Sequence, residues 1–361
     1  MKSIQNYIGI MLLAALWSCE DFYVPKIDEL PKSLVVEAIL SDQPGFFTVK
    51  LSRTAPFDGR SYFMAERKAS VSLHTTEGDN YYFYEKASGN YQSNDSIFPK
   101  TGVGYYLYIS TTDGHEYRSD TEVMLAPCSI ENIQLEDSVY RELRHNYWGE
   151  PYVKDFEGVF ISVQPSEPTN PDVGFLYQWN SLVNYHVLSA ELPLEFNYYC
   201  WKKMSSSMLY VYDYYEGRSG NTLILDNLHF LSYTGLSPLP IDSSRFEGTI
   251  QSAYSRSFYY HLKQYTISSN GADFWRGVKR QSEANGKLFD PVEEELITNI
   301  YCVTDHSMRV YGFFNTASYS EKIIAVKIGY MKIDWIKQVD YFPVPNEFES
   351  CEEQPTTFWI K

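Results

Sequence analysis

Short runs in which apolar and polar residues alternate recur through the first third of the chain and predict β-strands. Glycine turns such as Asp113-Gly114 separate these runs. In residues 104–110, Tyr106 and Tyr108 fall on one face of the predicted strand, and Tyr105 and Leu107 fall on the other. Strands at this spacing predict an immunoglobulin-like β-sandwich over residues 33–127. The predicted runs are 34–40, 46–52, 69–74, 81–85 and 104–110.

The longer region that follows, residues 128–361, is predicted to form a larger β-rich domain with one or two helices. Residues 159–164 and 174–179 are predicted to pair as strands across a proline-rich loop. Phe274, Trp275 and Val278 lie on one side of a 3.6-residue period, which predicts a helix near residues 269–284. Ser269 or Asn270 is expected to cap it. Further strands are predicted at 297–304, 308–315 and 322–330.

The first eighteen residues have the pattern of a secretory signal peptide, with Lys2 followed by an apolar run from Tyr7 to Trp17. That run is too short to span a bilayer as a helix. Residues 16–19, Leu-Trp-Ser-Cys, match the lipoprotein-processing pattern, so we expect cleavage after Ser18 and lipidation of Cys19. The alternative is a soluble secretory signal with an incidental cysteine. With Cys19 lipidated, residues 19–32 are expected to form a tether.

Acidic residues directly after the cysteine indicate where the lipoprotein goes. Glu20 and Asp21 resemble the short acidic export signal of Bacteroidota surface lipoproteins. A solvated linker would also carry acids at this position. We therefore expect a lipid-anchored outer-membrane protein that is exposed on the cell surface, with the lipid as its membrane contact.

Charge and composition exclude nucleic acid as a partner and favour an exported protein. The chain has 46 acidic and 30 basic residues, a net charge of −16. Such a surface repels nucleic acid, and no basic cluster offsets it, so nucleic-acid binding is excluded. The 32 tyrosines favour strands, because a tyrosine ring packs on a pleated face while its hydroxyl reaches water. This composition is typical of an exported β protein.

Once Cys19 is lipidated, four cysteines remain in an oxidising compartment, an even number. They allow three pairings, and we expect at least one disulfide that involves Cys351, with its partner left open. The absence of a Cys-x-x-Cys pair gives a zinc site little support. The four are Cys128, Cys200, Cys302 and Cys351.

No catalytic constellation stands out, and neither a metal nor a cofactor is predicted. The seven histidines show no metal-ligand spacing, and no Gly-x-Ser-x-Gly elbow is present. Asp213, Asp226 and the run Glu293–Glu295 are candidate carboxylates for a glycosidase-like pair, but a solvated acidic face explains them better. We therefore expect the protein not to be an enzyme.

One local concentration of aromatic residues is a candidate contact surface. Aromatic rings stack on sugars and anchor protein interfaces, because they desolvate a large area at a small cost in entropy. The alternative is that these rings fill a β core. The candidate ligand or partner contacts are Tyr198, Tyr199, Trp201, Tyr210, Tyr212 and Tyr214, with Tyr215 beside them.

Several stretches across the mature chain carry a family resemblance. They are residues 33–38, 49–54, 89–91, 104–107, 200–201, 274–275, 286–291, 299–300 and 311–314. Together they resemble an uncharacterised family of Bacteroidota outer-membrane lipoproteins, a domain of unknown function often encoded beside TonB-dependent receptors. Thr298 stands where that family has glycine, and the tail has fewer cysteines and glycines than its members, which leaves a shared tail disulfide open.

The resemblance implies a β-sandwich front domain and a receptor-associated role, and it supplies no catalytic residues. The sequence thus predicts a surface lipoprotein that acts as a non-enzymatic accessory or ligand-capture subunit of a TonB-dependent transport system. Its expected partners are a TonB-dependent outer-membrane receptor and, through the lipid, the membrane. The alternatives are a surface hydrolase and an adhesive or structural lipoprotein.

Overall fold

A computed structural model of the chain describes residues 32–54, 64–189, 197–206, 210–213, 218–219, 222–223, 225–232, 250–283, 296–328, 333–340 and 351–352. The first third of the chain forms short strands: β1 (Leu34–Ser41), β2 (Thr48–Arg53), β3 (Met64–Ala65), β4 (Ser70–Thr75), β5 (Asn80–Ala87), β6 (Asn90–Ser93), β7 (Gly104–Ser110), β8 (Glu116–Ser119) and β9 (Glu122–Val123).

The rest of the described chain forms longer strands and one helix. Its strands are β10 (Ile130–His145), β11 (Pro151–Pro165), β12 (Val173–Ser189), β13 (Asn197–Ser205), β14 (Tyr210–Asp213), β15 (Arg218–Ser219), β16 (Thr222–Leu223), β17 (Leu225–Ser232), β18 (Ile250–Ser268), β19 (Ile300–Cys302), β20 (Val310–Ile328), β21 (Ile333–Val339) and β22 (Cys351–Glu352). The helix α1 spans Ser269–Glu283, between β18 and β19. No helix in the described ranges is long and apolar enough to cross a membrane.

Two sheets face each other in the N-terminal sandwich. In one sheet, β2 pairs with β1 and β6, and in the other β7 pairs with β4 and β8. Strand β5 bridges them, since its first residues pair with β4 and its last with β6. The alternation predicted for residues 104–110 is confirmed: Tyr105 and Leu107 are buried, whereas Tyr106 and Tyr108 are half-buried on the outer face.

Strands from far along the chain complete this sandwich. The first half of β20 pairs in parallel with β1, from Leu34↔Val310 to Ser41↔Ala317, and β19 pairs with β8. Ile300 and Phe314 lie in the same hydrophobic core as Leu51 and Leu107. The proposed boundaries at 33–127 and 128–361 stay a prediction, to which the structure adds that residues 300–317 contribute strands to the front sandwich.

The second half of β20 belongs to a large curled sheet. There β18 pairs with both β12 and β20, while β12 pairs on its other side with β13 and β14. The prediction of separate strands at 308–315 and 322–330 is wrong, because one strand runs through both. Thr316 and Ser318, between the two predicted runs, are buried and donate hydrogen bonds to the carbonyls of Val123 and Leu125. These bonds let polar residues continue a buried strand.

A second sheet, β10-β11-β17, packs face to face on the curled sheet. Val159 and Ile161 of β11 share a core with Phe175 and Tyr177 of β12. The predicted pairing of residues 159–164 with 174–179 is therefore wrong, since the two strands belong to different sheets and meet through side chains. Alternating apolar residues identify a buried face but do not identify which strand lies beside it.

The predicted helix is present as α1, which covers the opposite face of the curled sheet. Ala272 packs with Leu176 and Ile267, and Phe274 stacks on Phe313 with ring centroids 5.3 Å apart. The cap is Ser268, one residue before the predicted positions, because its Oγ accepts a hydrogen bond from the backbone N–H of Gly271 at 3.2 Å. The mainly-β fold, with a front sandwich and a larger β-rich part that contains a helix, is confirmed.

The cysteine pairing left open by the sequence follows from strand register. Cys200 of β13 lies directly opposite Cys351 of β22, while Cys128 and Cys302 are buried and free. Directly opposed residues of antiparallel strands have Cα atoms about 4.5–5.5 Å apart, within the range that a disulfide spans. With Cys19 lipidated, Cys200 is the remaining partner for Cys351.

We predict a Cys200–Cys351 disulfide in the exported protein. Peptide mapping without reductant should recover a linked peptide that contains both residues. Cys200→Ser should leave Cys351 open to alkylation, whereas the control Cys302→Ser should leave the linked peptide intact. Alkylation of Cys351 in the unreduced wild-type protein would rule out the pairing.

Candidate functional site

The outer face of the β5-β4-β7-β8-β19 sheet carries a cluster of aromatic and basic side chains. Successive residues of a strand point to opposite faces, so the burial of Leu73, Leu107 and Tyr117 in the core directs their neighbours outward. The outward residues form what we call the aromatic platform, which consists of His74, Tyr82, Tyr106, Tyr108, Arg118 and Tyr301.

Strand register lines up one row of this platform across five strands. Tyr82 of β5 lies opposite Ser72 of β4, Ser72 opposite Tyr108 of β7, Tyr108 opposite Arg118 of β8, and Arg118 opposite Tyr301 of β19. Tyr82 is 62% exposed and Tyr301 is 39% exposed. The row therefore has an accessible aromatic ring at each end and polar groups between them.

The ring of Tyr106 is held between side chains from the two neighbouring strands. The His74 ring stacks on it with centroids 5.1 Å apart and an interplanar angle of 10°. The Cζ of Arg118 lies 4.3 Å from the same ring centroid. A cation over an aromatic face is attracted by the ring quadrupole. Since His74 and Arg118 come from opposite sides of β7, the three side chains form one layered stack that is ordered before any ligand arrives.

Hydrogen bonds order the remaining polar groups of the platform. The Tyr108 hydroxyl donates to Glu116 Oε2 at 2.5 Å, and this bond, followed by burial, raises the pKa of Tyr108 because the neutral hydroxyl is the donor. Ser72 Oγ and His74 Nε2 lie 2.9 Å apart. Arg118 differs from these groups: its Nε is enclosed without a hydrogen-bond partner, and it makes no ion pair among the described residues.

A second exposed feature projects from the β10-β11 hairpin. Register runs without a break from Asn132↔Gln164 to His145↔Pro151, whereas β17 supports β11 only from Gly158 onward. Among the described strands, residues 139–157 pair only with each other, and we call this segment the hairpin arm. Its turn carries Tyr147 and Trp148, 93% and 80% exposed, with their rings in edge contact at 5.3 Å.

Residues 20–323 match a protein family described as a domain of unknown function, DUF4249. The chain belongs to the DUF4249 family. The matched range includes every residue of the aromatic platform and of the hairpin arm. No curated protein matches the chain. The predicted resemblance to a domain of unknown function is therefore confirmed at the level of the family.

The aromatic residues that the sequence singled out lie elsewhere in this DUF4249 protein, on two strands. Tyr198, Tyr199 and Trp201 belong to β13, where their side chains are outside the described atoms, and Tyr214 is outside the described residues. Tyr210 and Tyr212 belong to β14 and pack partly against the core.

Register separates these two groups along β12. Trp201 lies opposite Asn184 and Tyr210 lies opposite Tyr177, a difference of seven residues. At about 3.3 Å per residue the separation is roughly 23 Å along the strand. Backbone register thus places the two groups at different positions along β12, and their role as ligand or partner contacts stays a prediction.

Of the candidate carboxylates, the structure describes the side chain of Asp213. Asp213 forms an ion pair with Arg276 at 2.5 Å, Asp226 lies in β17 with its side chain outside the description, and Glu293–Glu295 lie outside the described residues. In the part of the chain that the structure describes, no group of three or more His, Cys, Asp or Glu side chains is arranged to hold a metal ion.

Local alternation in the sequence identifies one strand of the aromatic platform but not the side chains that lie beside it. The alternation in residues 104–110 places Tyr106 and Tyr108 outward, and the same period places Tyr82 outward in β5. This two-residue alternation is the sequence signal that could have identified the outward tyrosines of β5 and β7. The neighbours across the sheet follow from pairings between distant segments, such as Arg118↔Tyr301, which no local pattern encodes.

Proposed function

We propose that this protein is a surface-exposed outer-membrane lipoprotein that binds a ligand without transforming it and acts as an accessory to a TonB-dependent receptor. The aromatic platform is the observation that carries this proposal. It is an open, ordered sheet face with accessible rings at both ends of a polar row. Ordered aromatic side chains lose little entropy on binding and desolvate a large area.

The proposed anchor places this face near a membrane. The sequence of residues 16–19 supports lipidation of Cys19, and Glu20 and Asp21 support export to the surface. The described chain begins at Lys32, directly before β1 of the sandwich. The thirteen residues between Cys19 and Ser33 can reach at most about 45 Å. A lipid at Cys19 therefore keeps the front sandwich close to the outer membrane, where a receptor would lie.

The hairpin arm supports a protein partner. Leu143 and Val153 lie directly opposite each other and are 64% and 63% exposed, next to the aromatic turn. Exposed apolar residues beside an aromatic turn form a surface that a protein partner can cover. Tyrosine and tryptophan are enriched among the residues that dominate interface energy. We assign Tyr147 and Trp148 as the contact with the receptor.

The test is co-purification from native cells. A tagged protein solubilised in mild detergent should recover a TonB-dependent receptor in stoichiometric amount, identified by mass spectrometry. The double variant Tyr147→Ser, Trp148→Ser should lower that recovery at least about tenfold, as expected for central interface aromatics. The matched control Tyr82→Ser removes an exposed tyrosine from the platform and should leave recovery unchanged.

Two outcomes would contradict the proposal in different ways. Repeated recovery of the lipoprotein alone would remove the receptor role and favour a free-standing binding or adhesive protein. Wild-type recovery with the tip variant would keep the receptor and move the contact away from the hairpin arm. Melting curves of both variants show whether each remains folded.

A further inference from the structure

We propose that the aromatic platform binds an acidic polysaccharide and that Arg118 recognises its carboxylate or sulfate groups. This inference rests on the proposed function, because it takes the platform as the ligand-capture surface. It adds the chemical class of the ligand and the residue that selects it.

The first support is that Arg118 is held in place without a carboxylate partner. Its guanidinium lies over the Tyr106 ring, and its enclosed Nε–H has no acceptor. A buried donor without an acceptor costs roughly 1–3 kcal/mol, so an arginine placed this way calls for a reason. Arg118 is half-buried, and Nε is the one guanidinium nitrogen that is enclosed without a partner. Guanidinium groups form paired hydrogen bonds with carboxylate or sulfate oxygens.

A structural arginine in the same sandwich has a different environment. Arg53 Nε lies 2.5 Å from Glu66, and its Nη2 lies 2.9 Å from Asp113. Its side chain is 10% exposed, and both contacts are charge-assisted hydrogen bonds. An arginine that serves the fold is thus fully paired here, whereas Arg118 is fixed by stacking alone.

Two acids lie near Arg118 along the chain, Glu116 two residues before it and the exposed Asp120 two residues after it, and among the described residues neither forms an ion pair with it. Glu116, the acid on the same strand and face, accepts the Tyr108 hydroxyl and makes no ion pair with Arg118. His74 lies on the other face of Tyr106. The chain as a whole carries −16, but charges more than about 8 Å away are screened at physiological salt, so the groups next to Arg118 decide what binds. The acidic remainder disfavours anions that make no contact with Arg118.

The length of the row favours a polymer over a small anion. Five strands spaced about 4.8 Å apart make the row from Tyr82 to Tyr301 about 19 Å long. The two exposed rings lie at the ends of this row. An extended glycan can stack on Tyr82 and Tyr301 while an acidic group in between reaches Arg118.

The experiment compares acidic polysaccharides with neutral counterparts of the same backbone. Binding of the detergent-solubilised lipoprotein is measured by calorimetry against polygalacturonate, alginate, hyaluronate and chondroitin sulfate, each beside its carboxyl-reduced or desulfated form. At least one acidic polymer should bind, with its neutral form at least about tenfold weaker. Loss of binding on carboxyl reduction assigns a uronate, and loss on desulfation assigns a sulfate.

Matched variants assign the preference to Arg118. Arg118→Gln should weaken binding of the acidic polymer about tenfold to a hundredfold and remove the preference over the neutral form. Arg67→Gln removes the same charge from an exposed arginine of the sandwich and should change neither affinity. Arg118→Lys keeps the charge over Tyr106 but lacks the fork of donors, and it should bind with intermediate affinity.

The outcomes separate this inference from the proposed function. Equal binding of acidic and neutral forms, unchanged in Arg118→Gln, would overturn anion recognition and leave the platform as a glycan surface. Failure of every polysaccharide to bind the wild-type protein would overturn the inference and remove the platform as a glycan site. Receptor co-purification is independent of both results, since its contact lies on the hairpin arm.

Discussion

Replacement of Gly312 by alanine should lower the free energy of unfolding by at least about 3 kcal/mol. Gly312 has φ +102°, a backbone conformation that residues with a Cβ rarely adopt, and a Cβ there would lie 1.9 Å from the carbonyl oxygen of Val36. That oxygen belongs to the backbone of β1, so a side-chain rotation cannot relieve the clash.

The position of Gly312 explains why the effect should reach the whole sandwich. Val36 and Gly312 are register partners in the parallel pairing of β1 with β20. Strand β20 then delivers Phe314, fully buried, to the sandwich core and continues into the curled sheet. Separation of β20 from β1 at this point therefore loosens both the core and the link between the two parts of the chain.

Two other glycines separate the contributions of backbone strain and clash. Gly114 also has a positive φ, +89°, but nothing lies within 4 Å of a Cβ there. Gly114→Ala should therefore lower the free energy of unfolding by about 1 kcal/mol. Gly45→Ala has neither feature and should be nearly neutral. Urea unfolding monitored by tryptophan fluorescence measures all three. A cost for Gly312→Ala no larger than for Gly114→Ala would show that the β1–β20 pairing tolerates a side chain.

Replacement of Asn299 by alanine should cost about 3 kcal/mol at neutral pH, the second largest effect we expect. Asn299 Nδ2 donates to the Phe314 carbonyl, and its Oδ1 accepts the Phe314 N–H, each at 2.9 Å. The same Nδ2 lies 3.3 Å from Glu122 Oε1. Truncation leaves the backbone groups of a fully buried residue without these partners, and an unpaired buried polar group costs roughly 1–3 kcal/mol.

The cost of Asn299→Ala should also depend on pH through Glu122. Burial raises the pKa of Glu122 above its ordinary value of 4.5, and hydrogen bonds from Ser268 and Asn299 oppose that rise. A carboxyl group with a raised pKa in the folded state contributes stability below its unfolded pKa, and this contribution is lost as pH rises through the folded pKa. Removal of the Asn299 donor raises the pKa further, so the variant should lose more stability at pH 8 than at pH 5.

An asparagine without side-chain contacts provides the control for this pH dependence. Asn94 is exposed and is hydrogen-bonded through its backbone N–H. Asn94→Ala should change the free energy of unfolding by less than about 0.5 kcal/mol at both pH values. Equal costs of Asn299→Ala at pH 5 and pH 8 would show that Glu122 does not sense the lost amide.

Local patterns predicted individual elements well where burial follows the strand or helix period. The face of β7 that contains Leu107 and Ile109 is buried, and α1 buries Phe274, as their spacing predicts. Polar residues misled the prediction where hydrogen bonds satisfy them inside the fold. Thr316 and Ser318 lie in the gap between two predicted strands that are in fact one strand, and Ser268 is the cap in place of Ser269 or Asn270.

The candidate site was less predictable than the fold, and strand register is the cause. Tyr210 and Tyr212 alternate in sequence as a binding face would, yet they pack partly against the core that contains Tyr177. No local sequence pattern links Tyr82 with Tyr301, yet they lie at the two ends of one row. The position of an aromatic residue in a strand does not show whether its face of the sheet is covered by another layer.

The sequence by itself determined the export signal pattern, the strand-rich composition, the place of the helix and the apolar face of each strand with clear alternation. These properties depend on residues a few positions apart. Only the tertiary structure decided that β19 and β20 complete the front sandwich, that Cys200 faces Cys351, and that Arg118 lies in a row with Tyr82 and Tyr301. Those arrangements join segments up to 276 residues apart, and side-chain alternation is the same for every partner that a strand could take.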